Sequence, residues 1–337
     1  MVKAAILGSG SWGTTFGKVL ADGGTDVMLW ARRPELANEI RESRRNTQYL
    51  PGITLPDSLD ASPDVHEVLA GADQVYLSVP SQQLRALLED VREFIPAGVP
   101  VVSLMKGVES STMMRMSQVI RDVAGIAPDR IAAASGPNLA LEIARGEPTA
   151  IEVASESEET ARAVARVART DYFTTFVNTD VIGTEYGGVL KNLVALAIGI
   201  VDGVGFGENT KASILTRGLA EVTDFAVAFG AKPATMQGLA GLGDLIATCN
   251  SPLSRNFTAG RLLGMGYTRE DVISRMEQVA EGLASVEPVW RLAKQQGVMM
   301  PILKQVRRVL DGRMLPAEIA PHLTSKDDEP QGESFDF

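Results

Sequence analysis

Cysteine is almost missing from this chain. The 337 residues include one, Cys249, so no internal disulfide can form. Histidine is nearly as scarce, with two, and no Cys/His cluster of the kind that holds zinc is present. No metal is therefore expected. This economy fits a reducing interior, and the expected location is the cytoplasm. Basic residues are outnumbered, with 32 Lys and Arg against 42 Asp and Glu and a net charge of −10. A duplex-binding surface needs clustered Lys and Arg, so nucleic acid is not an expected partner. An anionic substrate would need a local basic pocket within an acidic whole. Long apolar runs are also lacking. The longest, Leu193 to Val201, is too short to span a bilayer and reads as part of a buried helix, so no membrane insertion is expected. The chain starts directly on a strand pattern, which leaves no room for a signal peptide.

What is present is a two-part pattern. The length exceeds one comfortable core, so two domains are expected. In the first part, short apolar runs alternate with charged helix-period segments. Ala4–Leu7, Val27–Trp30, Val75–Val79 and Val99–Leu104 read as buried strands, and Gln82–Phe94 and Thr112–Val123 as helices. Further strands are expected at Ile131–Ala134, Ala150–Ala154 and Thr174–Val177, with a helix at Glu156–Arg169. Such alternation implies a parallel sheet covered on both faces. After about Asp180 the strand signal stops. Val181–Val201, Thr210–Phe229 and Val286–Gln296 read as helices, and Gly238–Gly243 as a glycine-rich link. The expected organisation is a dinucleotide-binding domain at 1–180, a helical substrate domain at 181–324 and a disordered acidic tail at 325–337.

Gly8-Ser9-Gly10-Ser11-Trp12-Gly13 matches G-x-G-x-x-G. Alone the pattern is weak, but here it follows a strand and opens a helix. Gly8 permits the tight turn, Gly10 lets backbone approach a pyrophosphate, and Gly13 allows close helix–strand packing. The helix N-terminus offers free N–H groups to the anion. The second strand ends at Trp30-Ala31 and is followed by Arg32-Arg33, where NAD-selective sites commonly carry a carboxylate for the ribose 2′-OH. Two guanidiniums there suit a 2′-phosphate, so NADPH is expected to be accepted beside NADH; the plainer reading is a solvated basic pair.

Hydride transfer to a ketone needs a proton donor. His66 precedes a strand, at the wrong end of the sheet for a ligand, and His322 lies near the tail. Lys106 follows a strand and precedes Gly107. Lys191 enters a strongly apolar helical stretch, where an unpaired ammonium is costly to bury and burial would lower its pKa toward the range of an acid–base catalyst. By spacing alone the favoured reading of Lys191 is a lysine snorkelling to the surface. Asp244 follows the glycine run, and Ser254-Arg255-Asn256 groups a hydroxyl, a guanidinium and an amide, as phosphate sites do. Both are also compatible with plain turns.

These motifs together resemble the family of bacterial NAD(P)-dependent glycerol-3-phosphate dehydrogenases. The resemblance rests on 8–13, Leu-Trp-Ala-Arg-Arg at 29–33, Lys-Gly-Val-Glu at 106–109 and Ser-Gly-Pro at 135–137. It continues with Lys-Asn at 191–192, Gly-Leu-Gly-Asp-Leu at 241–245, Ser-Arg-Asn at 254–256 and Val-Ala-Glu-Gly at 279–282, and covers about 1–315. It implies an N-terminal Rossmann-type doubly wound sheet and an all-helical C-terminal domain like that of 6-phosphogluconate dehydrogenase, commonly as a homodimer. It implies reduction of dihydroxyacetone phosphate to sn-glycerol 3-phosphate for phospholipid synthesis, with Lys191 as proton donor and, in reverse, acceptor. Lys106, Gly136, Asn138, Asp244, Ser254, Arg255 and Asn256 would surround the substrate. Ser11, Trp12, Arg32, Arg33, Lys106, Ala140, Arg255, Val279 and Glu281 would join the glycines at the dinucleotide. Asn138-Leu139 departs from the small hydroxyl residue and aromatic that the family often has there, so Asn138 carries over weakly. Two other readings compete: a related dehydrogenase of a hydroxyacid or sugar acid, and a non-catalytic NADPH sensor.

Overall fold

The computed structural model describes residues 2–252, 254–276 and 280–320. Val279, His322 and the tail expected at 325–337 lie outside the described residues. By internal contacts the chain divides into two compact units, Met1–Glu109 with Met114–Glu185, and Ser110–Met113 with Tyr186–Phe337.

The first unit is built on eight strands: β1 (Lys3–Leu7), β2 (Asp26–Trp30), β3 (Leu59–Ser62), β4 (Gln74–Leu77), β5 (Val101–Ser103), β6 (Ile131–Ser135), β7 (Thr149–Ser155) and β8 (Phe173–Asn178). Their spatial order is β3-β2-β1-β4-β5-β6-β7-β8. The order turns back at β1, which pairs with β2 on one side and β4 on the other, both parallel. In such sheets the crevice outside the carboxyl ends at that point is where ligands bind. Ala4, Ala5, Ile6 and Leu7 are fully buried because helices cover both faces of the sheet. One apolar layer gathers Phe16, Val19, Leu20, Leu29 and Tyr76; the other gathers Leu7, Leu69, Leu88, Val119 and Ile120.

Three features differ from the sequence reading. β3, with the sequence Leu-Asp-Ala-Ser, has no β-branched residue and lies at the sheet edge, so its apolar signal is faint. β7 runs antiparallel to β6, so the sheet is not wholly parallel. The helix expected from Thr112 begins only at Met116. Before it, Met113 takes a left-handed conformation (φ 62°) and Val108 bridges Arg115 in antiparallel fashion, so the chain is a tight loop.

The second unit is helical. Its central helix is the part from Tyr186 on of Val181–Val204, a helix that opens in the first unit with the Asp180 carboxylate accepting from Gly183 N at 2.8 Å. At 24 residues it is long and apolar enough to cross a membrane, well beyond the run noted in the sequence, yet most of it is buried inside the protein as a core helix. It crosses Arg255–Gly264 at a contact made by glycines from both. A Cβ on Gly199 would lie 2.2 Å from Phe257 O, and one on Gly260 2.2 Å from Leu196 O. Gly203 and Gly264 repeat the arrangement one turn on. The two backbones therefore touch, and no side chain can be inserted.

Glu221, on the helix Glu208–Ala228, caps the helix Pro301–Leu310 by accepting from Ile302 N at 2.8 Å and Leu303 N at 3.0 Å. Burial pushes its carboxyl up to about 7 despite those two bonds. Between the ordinary carboxylate range and pH 7 the folded chain thus holds a proton that the unfolded chain has released. Its contribution to stability falls as pH rises through that window, by on the order of 3 kcal/mol. Denaturant titration of wild type and Glu221→Gln at pH 5 and pH 8 should show the difference between them moving in the variant's favour at pH 8. A pH-independent difference would remove Glu221 as the titrating group.

Candidate active site

In the first unit the glycine motif lies between β1 and the helix Ser11–Asp22. Gly8 has φ 126°, and a Cβ there would collide with Ser78 O at 2.3 Å, so no other residue fits the turn. A Cβ on Gly13 would lie 2.0 Å from Gly8 O, whereas one on Gly10 would meet nothing within 4 Å. Gly10 therefore borders open space above the helix N-terminus, the cradle a pyrophosphate needs. Trp12 packs edge-on against Phe16, and its indole N–H is buried without a hydrogen-bond partner. Both amide atoms of Asn138 are likewise buried and unpartnered. Buried orphan groups of this kind are uncommon and call for a ligand or water. With the open side of Gly10, the Trp12 group fits a bound dinucleotide.

The other expected residues of this unit gather around the same carboxyl ends. Arg32 and Arg33 are exposed just after β2. The Arg33 guanidinium is held by a hydrogen bond to Gln48 Oε1 and by the Tyr49 ring, 5.9 Å to its centroid. Lys106, after β5, donates from Nζ to Gly136 O, just after β6, at 2.9 Å. Ala140 opens a short helix and accepts from Thr15 Oγ1 at 3.2 Å, which ties it to the helix Ser11–Asp22. The loop after Lys106 is fixed by residues that the sequence reading did not single out. Arg85 forks onto Glu109 at 2.9 and 3.0 Å, and Glu185 accepts from Ser117 N at 2.8 Å while pairing with Arg115.

His66 is exposed in the helix Val65–Leu69, its ring against Phe94 with centroids 3.9 Å apart.

In the second unit Lys191 is buried in the central helix, 8 % exposed. It does not snorkel. Its ammonium donates to Asp244 Oδ1 and, at 2.7 Å, to Thr248 Oγ1. The charge is paired, which removes the cost that an isolated buried ammonium would carry. Asp244 is 1 % exposed and begins the helix Asp244–Asn250. The glycine stretch before it is not a flexible link. Leu239–Gly243 forms a π-turn, with Gly243 N donating to Gly238 O at 3.0 Å. Such widened turns recur at functional sites. The turn packs on the central helix at Gly187, where a Cβ would lie 2.4 Å from Ala240 O. That contact sets Asp244 and Thr248, one turn apart, against Lys191. Thr248 was legible only as the residue four positions after Asp244. Cys249 next to it is buried, and burial pushes its thiol up to about 12, with the Asp244 charge adding to the effect and Lys191 opposing it.

Ser254 caps the helix Arg255–Gly264 by accepting from Phe257 N at 3.2 Å, and Arg255 is exposed as its first residue. Asn256 donates to Asn192 Oδ1 at 2.8 Å and accepts from Gly282 N at 2.9 Å, so it couples the helix starting at Glu281 to the residue beside Lys191. An arginine at a capped helix start is a combination that suits an anion.

A Rossmann-type sheet with a glycine-rich dinucleotide loop, and a helical unit holding a buried lysine–carboxylate pair, define a dinucleotide-dependent dehydrogenase. Models of the N-terminus and of the C-terminus of NAD-dependent glycerol-3-phosphate dehydrogenase match residues 3–161 and 180–321. The chain is 63 % identical over 97 % of its length, and 89 % of the relative's, to glycerol-3-phosphate dehydrogenase [NAD(P)+] of Leifsonia xyli subsp. xyli. It is 50 % identical to that of Streptomyces griseus subsp. griseus, with 98 % of each chain covered. The crystal structure of glycerol-3-phosphate dehydrogenase from Coxiella burnetii superimposes with a TM-score of 0.90 at 34 % identity, covering 96 % of this chain and 98 % of that one. The protein belongs to the NAD(P)-dependent glycerol-3-phosphate dehydrogenase family.

Proposed function

We infer that the protein reduces dihydroxyacetone phosphate to sn-glycerol 3-phosphate, reversibly, and so supplies the backbone of glycerophospholipids in the cytoplasm. Membership of the family supports the reaction, and the buried Lys191–Asp244–Thr248 cluster is the observation that carries its mechanism. Bound NAD(P)H supplies the hydride that arrives at C2 of the ketone. Lys191 donates a hydrogen bond to the carbonyl oxygen, stabilises the negative charge that develops there and passes it a proton. Asp244 and Thr248 hold the ammonium in one place, so no reorientation is needed as charge appears. Arg255, at the helix start capped by Ser254, takes the substrate phosphate, and Ser254 and Asn256 are assigned to the same anion. Lys106, Gly136 and Asn138 are assigned to the substrate from the first unit.

The coenzyme is assigned to Gly8, Gly10, Ser11, Trp12, Gly13, Arg32, Arg33, Lys106, Ala140, Arg255, Val279 and Glu281. The exposed guanidiniums after β2 favour acceptance of the 2′-phosphate of NADPH. A homodimer is the expected assembly. Mixing the protein with dihydroxyacetone phosphate and NADPH, then NADH, should bleach the nicotinamide absorbance band. No bleaching with either coenzyme would overturn the reading.

Arg255→Ala should raise the KM for dihydroxyacetone phosphate by roughly 10–100-fold, the loss of a charge-assisted contact. The KM for a ketone substrate without phosphate should change far less. Equal changes for both, or none for the phosphorylated substrate, would take the phosphate away from Arg255.

A further inference from the structure

Asn46 is fully buried, on a loop with no assigned role in the chemistry. The loop is compact and closed on itself, with Leu55 N donating to Arg44 O at 2.8 Å. Leu50 and Leu55 are sunk into the core beneath it. Arg44 is tied to Leu59 O at 2.6 Å, and Thr47 N donates to Glu39 Oε1 at 2.9 Å. Leu50 N closes a turn onto Asn46 O at 2.8 Å. The result is a rigid mount for one amide.

That amide reaches the glycine motif. Asn46 Nδ2 donates to Ser9 O at 2.9 Å and to Thr14 Oγ1 at 2.8 Å. Thr14 Oγ1 in turn donates to Ser9 O at 3.2 Å. The Ser9 carbonyl thus lies under two donors. A trans peptide is planar, with its C=O and the following N–H pointing in opposite directions. Fixing the Ser9 carbonyl on the Asn46 side therefore turns the Gly10 N–H to the other side. The flanking glycines leave this peptide free to rotate unless something holds it.

We propose that Asn46 is a positioning residue for coenzyme binding, holding the Ser9–Gly10 peptide so that its N–H is aimed at the pyrophosphate. The proposal rests on the coenzyme reading above. It assigns Asn46 to one part of the dinucleotide only. The adenosine and its 2′-phosphate gain nothing from that peptide, whereas the 5′-phosphate depends on it.

The test uses three ligands on the full chain: 2′-AMP, which lacks a 5′-phosphate, 2′,5′-ADP, which has one, and NADPH. Asn46→Ala should weaken 2′,5′-ADP and NADPH by about tenfold, the scale of a lost buried hydrogen bond, and leave 2′-AMP within about twofold. Equal weakening of all three ligands, or none, would overturn the proposal. Thr14→Val removes one anchor and leaves the amide in place, so it covers the case in which Asn46→Ala does not fold. It should weaken 2′,5′-ADP selectively and by less; unchanged 2′,5′-ADP affinity in a folded Thr14→Val protein would also overturn it. Wild-type protein that binds neither NADPH nor NADH would overturn the coenzyme reading first, and this proposal with it. Arg33→Gln separates the two: it should weaken 2′-AMP as well as 2′,5′-ADP, the pattern opposite to that of Asn46.

Discussion

Lys191→Ala is expected to lower kcat by roughly 10³–10⁵-fold, the combined scale of a lost general acid and a lost stabiliser of oxyanion charge. The dissociation constant for NADPH, measured by fluorescence titration, should stay near the wild-type value, because Lys191 is assigned to substrate and proton. The substitution also leaves Asp244 as a buried carboxylate, 1 % exposed, without its ammonium. An orphaned charge of that kind destabilises by about 3–5 kcal/mol, so lost folding must be separated from lost chemistry. Lys191→Met combined with Asp244→Asn removes both charges at nearly constant volume. That double variant should regain most of the stability and none of the turnover. Turnover within tenfold of wild type in either protein would remove Lys191 from its role.

The second large effect is expected from a single methyl group placed against backbone atoms alone. Gly187→Ala places a Cβ 2.4 Å from Ala240 O and 2.8 Å from Ala240 C, both backbone atoms of the π-turn. No side chain can rotate away, so the turn or the central helix must move. Overpacking of this sort costs about 1–3 kcal/mol. The larger consequence is chemical. The turn delivers Asp244 to Lys191, and a displacement of around 1 Å in a catalytic group can cost about 10²-fold in rate. Gly187→Ala should thus lose kcat by ten- to a hundredfold while its melting temperature falls only modestly. A variant with wild-type kcat would show that the turn tolerates the shift and that Asp244 is not placed by it.

How much of this was readable beforehand depended on burial and chain distance. β1, β4 and β6 announce themselves because both their faces are covered, which demands continuous apolar residues. β3 does not, since an edge strand of four residues needs little apolar surface. The glycine motif was legible in position, as were the turn at Gly8 and the close packing at Gly13, because each of these is local. Lys191 was visible as an anomaly, a charge in an apolar helix, but spacing alone left it between catalyst and surface lysine. Its partners remove the surface reading, and they come from 53 and 57 positions further on. Thr248 gave no signal beyond its place four residues after Asp244, as a threonine in a helix is unremarkable. The Gly238–Gly243 stretch misled for a physical reason. Glycine serves flexible links and close backbone contacts equally well, and only the neighbour at Gly187 distinguishes them. Asn46 was silent for the same cause: its bonds reach back 37 and 32 residues to the motif.

The double glycine contact of the helical unit has a bearing on which molecules can react. The helix that carries Lys191 and the helix that starts at Arg255 meet backbone to backbone through Gly199, Gly203, Gly260 and Gly264. With no side chains to repack, the two cannot slide or splay. The phosphate grip proposed at Arg255 and the proton source proposed at Lys191 therefore ride on helices held at one spacing. On the proposed assignments, a substrate is then selected by the distance from its carbonyl to its phosphate.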